Sequence, residues 1–264
     1  MNDVELVQAT LRGEVHAVTV LFDRFAEQVH DLALAVLRDR LLAAEVLEAT
    51  FEEALQRLAG LQEDDRLAVW LLAVTRRNAV LRAGPTSGPD RRPNLAGHDA
   101  ERNRLITLVW EAVADLPLRD RTLLDLALRH GLAGQDLADA LGVGPAQAHQ
   151  MEVGMRNQIE AGLVGYLIDR ATEGRCPALT KALKGWDGRF TTEGSALISS
   201  HVELCPDCNQ VRRELPSPFT LYAEVTAPPV PSSVRRPGGT RLVLRVAEGA
   251  AAPPQTSPGF EWAP

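Results

Sequence analysis

A chain of 264 residues with 45% apolar and 24% charged side chains is long enough for one large or two to three small folded domains. Its 28 basic residues against 35 acidic ones leave a net charge of −7, which argues against a broadly basic nucleic-acid binder. No run reaches the roughly 18 uninterrupted apolar residues of a membrane span, and a start carrying Asp3 and Glu5 lacks the basic-then-apolar build of a secretory signal.

Helical periodicity fills the first part of the chain. Phe22, Phe25, Val29, Leu32 and Val36 keep a 3.6-residue stripe, as do Ala44, Leu47, Phe51, Ala54 and Leu58, and Leu67, Trp70, Leu71 and Val74 continue it. Breaks at Gly13 and at 61–65 predict about four helices packed as a bundle over 1–83. The stretch 84–100 is rich in Gly, Pro and polar residues and reads as a flexible linker. Periodicity resumes with Leu105, Leu108, Val109, Ala112 and Val113. A helix at 119–130, a turn at Gly131, a short helix around Gln135–Leu141, a turn at Gly142 and a helix opened by Pro145 then give a helix-turn-helix outline within 101–165.

Cys176, His201, Cys205 and Cys208 follow at spacing C-x24-H-x3-C-x2-C and use every cysteine of the chain. His201 and Cys205 stand four residues apart, so a helix puts both on one face. Two thiolates on a CxxC turn, one imidazole a turn earlier and one upstream thiolate make a tetrahedral zinc set over 171–213. Four protein ligands leave no open corner, which predicts a structural Zn2+. A redox CxxC would want a βαβ setting that the sequence does not supply. An odd cysteine count at metal spacing suits a reducing cytoplasm. From Glu214 to the end the chain turns Pro-rich and predicts a largely disordered tail, with strand character only at 241–247. The fold class expected is therefore all-α: two small helical domains, a zinc-binding helical module and a tail. No glycine loop for phosphates, nucleophile elbow or open metal position is visible, so the chain does not read as an enzyme.

Three parts of the chain resemble known families. LFDRFAEQVHDLALAVLRDRLLAAEVLEATFEEALQRL (21–58) with RLAVWLLAVTRRNAVLRA (66–83) is similar to region 2 of the extracytoplasmic-function (ECF) sigma factors, and LVWEAVADLPLRDRTLLDLALRHGLAGQDLADALGVGP (108–145) is similar to their region 4. The cysteine-histidine segment resembles the zinc-binding anti-sigma fold, with Cys176 where a histidine usually stands. The resemblance implies a sigma factor that binds core RNA polymerase and promoter DNA without a membrane, its zinc module acting as an intramolecular regulator, and it allows a separate anti-sigma protein as a further partner. Transferred by position, Glu45, Glu48 and Phe51 would face polymerase. Arg57, Trp70, Arg76, Arg77 and Asn78 would contact melted DNA, through phosphate and base-edge bonds and ring stacking. Phe51 and Trp70 also sit in apolar stripes that would place them in the core, and the glutamates would equally suit a solvated helix face.

The helix after Gly142 departs from the family. It has His149, Met151 and Gly154 where basic residues are usual, Arg156 is its one remaining fixed positive charge, and Glu152 adds a negative charge that a phosphate would repel. Gln147, His149, Gln150 and Arg156 remain as groove-facing candidates, the amides being able to read adenine. Between Glu101 and Glu160 six arginines meet nine carboxylates, so free DNA binding by this part is expected to be weak unless tethering to polymerase supplies effective concentration. A sigma-like regulator that binds polymerase or another protein without reading promoters is the alternative.

Overall fold

The computed structural model describes residues 1–61, 66–84, 93, 95, 97, 99–184 and 192–231. Every regular element among them is helical, and none of these helices is long and apolar enough to cross a membrane. In chain order they are α1 (Asp3–Leu11), α2 (Val15–Leu37), α3 (Arg40–Arg57), α4 (Leu67–Arg82), α5 (Ala100–Ala114), α6 (Leu118–Leu124), α7 (Gly134–Leu141), α8 (Pro145–Gly154), α9 (Ala161–Ala171), α10 (Pro177–Leu183), α11 (Thr192–Leu204), α12 (Pro206–Glu214) and α13 (Pro218–Ala223). They group into two units, one of Met1–Gly84, Gln135–Gly144 and the described residues from Ala227, the other of the described residues of Pro85–Gly134 and Pro145–Thr226.

In the first unit, local signals set the helix ends. Asn2 caps α1 reciprocally with Glu5, its Oδ1 accepting the Glu5 N–H at 2.8 Å while its own N–H donates to the Glu5 carboxylate at 2.9 Å. Gly13, at φ +76°, turns the chain into α2. Asp39 caps α3 by accepting from the N–H groups of Leu41 and Leu42 at 2.8 and 3.1 Å. The stripes then meet: Leu21, Phe22, Phe25 and Val29 of α2 pack with Leu47, Phe51 and Ala54 of α3 and Leu67 and Leu71 of α4. The rings of Phe22 and Phe51 lie tilted with centroids 4.9 Å apart, an arrangement favoured by their quadrupoles. Residues 135–144, expected inside the 101–165 domain, group with these N-terminal helices. The turn after α7 closes through Gly142 N–H to the Asp139 carbonyl and Val143 N–H to the Ala138 carbonyl, at 3.1 and 3.0 Å. Glycine is favoured at 142 by its φ of +69°, and a Cβ there would lie 3.1 Å from Arg76 Nη2, close enough that the guanidinium would have to shift slightly.

The second unit is organised by one long helix. α8 passes through a π-helical turn at Met155–Glu160 directly into α9, with helical dihedrals at Gly154 and Ala161. The helix expected to end the 101–165 domain therefore runs on into the cysteine-histidine module. A second π-helical turn, Asp125–Arg129, extends α6.

The expected tail differs from the observed chain in its first part. Within 214–231, α13 is a capped helix whose Phe219, Leu221 and Tyr222 are buried. The Tyr222 hydroxyl donates to the buried Asp125 carboxylate at 3.1 Å, its ring stacks on Trp110 at 5.7 Å, and Arg129 donates to the Val225 carbonyl. Pro218 at the first turn starts this helix rather than breaking it. The strand character at 241–247, the rest of the tail and most of the expected linker lie outside the described residues.

Candidate metal centre

Each of the four candidate ligands sits at a helix end. Cys176 is the N-cap of α10 and Cys205 the N-cap of α12, each followed by a proline in the first turn, where its missing N–H costs nothing. His201 lies in the last turn of α11, and the Cys205 N–H donates to its carbonyl at 2.8 Å. Cys208 follows in the first turn of α12. The α9–α10 corner that delivers Cys176 is held by Asp169, whose carbonyl accepts the Gly174 N–H at 2.8 Å and whose carboxylate accepts the Thr180 hydroxyl at 2.5 Å.

The four ligand atoms lie within 4.8 Å of one another, with His201 Nε2 3.2 Å from Cys176 Sγ and 3.5 Å from Cys208 Sγ. Tetrahedral coordination with bonds of about 2.0–2.3 Å sets donor–donor edges of roughly 3.5–3.8 Å. The residues thus fit a four-coordinate ion, with no vacant corner once all four bind. Burial pushes the Cys208 thiol up to about 12, with the neighbouring cysteines adding to it, whereas Cys205 is lowered, chiefly by the Cys208 backbone N–H. A divalent cation reverses the penalty at Cys208, since a coordinated thiol is held deprotonated. Beneath the site the buried core is small: Ile168, Leu179, Ile198, Val202 and Cys208. A core of that size gains from a cross-linking ion.

Sequence reading gave the ligands but not what seats them. Gly165 of α9 lets α11 approach so closely that an added Cβ would stand 2.5 Å from Ile198 Cγ2. The buried Ser195 hydroxyl of α11 donates to the Gln158 carbonyl in the π turn at 2.7 Å. A glycine inside the apolar run LVGYLI was the available signal for close approach; the serine bond had none.

Among the other candidate residues, Arg57, Arg77 and Asn78 are brought together. Gln147, His149, Gln150 and Arg156 are all exposed on α8 and its π extension, with Arg156 paired to Glu152 at 3.2 Å. Glu45 and Glu48 are exposed on α3, whereas Phe51 is buried against Phe22. Arg76 and Asn78 are buried, and Trp70 is half-buried on the core. Burial, with Arg77 beside it, lowers the Arg76 guanidinium to about 10. Arg57, Arg77 and Asn78 converge on one carboxylate, Glu53: Arg57 at 2.9 Å, Asn78 at 3.1 Å, and Arg77 in direct contact. That convergence was missed because Glu53 reads in sequence as one more glutamate of an acidic helix face. No protein-family profile, curated protein or solved structure matches this chain.

Proposed function

We propose that this chain is a transcription-initiation factor of the ECF sigma type, which binds core RNA polymerase and directs it to promoters. Its cysteine-histidine module would carry a structural zinc ion and act as a built-in regulator. The observation that carries the reading is exposure: the four side chains the resemblance points toward DNA, Gln147, His149, Gln150 and Arg156, are all exposed along α8 and its π extension, after the Gly142 turn. Exposed Glu45 and Glu48 leave a surface on α3 for polymerase. Phe51, as a core residue, would support that surface from beneath rather than touch a partner.

Zinc is the ion best suited to three thiolates and one imidazole. Bound there, it would supply cross-links between α10, α11 and α12 and no reaction chemistry. Cys176, Cys205 and Cys208 would hold it as thiolates and His201 through Nε2.

A second reading, a polymerase- or protein-binding regulator that does not read promoters, is favoured by one observation: Arg76 and Asn78 are buried and Arg57 and Arg77 already hold a carboxylate. Run-off transcription with sigma-free core polymerase separates the two. Discrete starts sharing two upstream motifs support the first reading. A stable complex with core that yields no starts supports the second.

A further inference from the structure

Arg66, Trp70, Ala73 and Arg77 recur at spacings of four, three and four along α4 and its N-cap, so they form one line on the helix, and all four are partly exposed. Guanidinium groups flanking an indole suit a nucleic-acid strand, the arginines taking phosphates and the ring stacking on a base. Yet both ends of the line are occupied by carboxylates of the chain itself. Arg77 holds Glu53, which also takes Arg57 at 2.9 Å, and Arg66 holds Asp136 and Asp139 at 2.5 and 2.6 Å. The side chains of Arg57, Arg66 and Arg77 keep 33%, 27% and 32% of their surface in solvent, so these pairs lie within reach of an incoming anion. Pairs this exposed are individually weak, and a polyanion delivers several phosphates to the arginines at once.

We propose that Glu53, Asp136 and Asp139 mask the arginines at the two ends of this face of α4, standing where phosphates of the single-stranded DNA that the initiation-factor reading assigns to it would bind. The inference rests on the initiation-factor reading for its ligand, and it accounts for how a chain of net charge −7 would hold DNA only weakly by itself. No bond is made or broken; one set of charge-assisted hydrogen bonds replaces another.

The test is fluorescence anisotropy of a labelled oligothymidine with the full chain, in a salt series. Glu53→Gln should bind about tenfold tighter at low salt, the combined gain of two partly exposed contacts. Its log–log salt slope should steepen by about 1.4, two phosphates on a single strand. Asp23→Asn, which removes the same charge from an exposed position on α2, should change neither, and adding Arg57→Ala and Arg77→Ala to Glu53→Gln should abolish the gain. An equal gain from Asp23→Asn, a gain that survives loss of both Arg57 and Arg77, or no gain in a Glu53→Gln chain with an unchanged melting curve overturns the proposal. Should Glu53→Gln melt early, Asp136→Asn with Asp139→Asn is read by the same criteria. Polymerase is absent throughout, so failure here leaves transcript starts to be judged separately, and absent starts leave the masking result standing.

Discussion

Two glycines on the long helix through α8 and α9 should respond to alanine in opposite directions. Gly154 has helical dihedrals and open space around its would-be Cβ, so Gly154→Ala should stabilise by about 1 kcal/mol through helix propensity alone. Gly165→Ala would force a Cβ to 2.5 Å from Ile198 and should cost about 1–3 kcal/mol, as overpacked cores do. Urea midpoints of the two variants check both signs. Asp125 gives a pH signature at the same scale. Full burial pushes its carboxyl up, but Arg129 and His130 beside it more than offset this and hold it at about 2. A depressed folded value stabilises the fold above the ordinary value of 3.8 and loses that contribution as pH falls toward 2. The loss, about 2 kcal/mol by linkage, should flatten in Asp125→Asn, measured as the urea midpoint between pH 4 and pH 2.

Among the elements, α3 separates surface from core. Phe51→Ala should cost about 3–5 kcal/mol of stability, whereas Glu48→Ala should leave melting unchanged and weaken only binding to core polymerase. The reverse pattern would remove α3 as a docking surface. The C-terminal elements make a second contrast. A chain ending at Arg213 loses α13, and with it Tyr222 from Asp125 and the Arg102–Glu224 pair, so it should melt well below a chain ending at Pro231. Much of this was legible in the sequence. Periodicity placed the stripes of α2, α3 and α4, and ligand spacing placed the metal set, because both depend on local geometry. What was not legible depended on partners distant in sequence. A Pro-rich composition marked 214–231 as tail, although Pro218 begins a helix and Tyr222 finds a carboxylate 97 residues away. Arginines at 57, 76 and 77 gave no sign of whether they would face solvent, the core or Glu53.

For the whole molecule, the metal centre and the initiation-factor reading make separate demands. Purified protein should hold about one zinc per chain by elemental analysis. Chelation, or Cys208→Ser, should remove that zinc and loosen α10, α11 and α12 in hydrogen exchange while α2, α3 and α4 stay protected, because the small core of Ile168, Leu179, Ile198 and Val202 has little else to hold it. Uniform protection with and without metal would make the site incidental to the fold. The reading as an initiation factor is tested most directly by sequencing transcript starts made on sheared genomic DNA by sigma-free core polymerase of the source organism, with and without this chain. An initiation factor gives discrete starts that appear only with the chain and share two upstream motifs. Core polymerase that binds the folded chain and still initiates at no new position would contradict that reading.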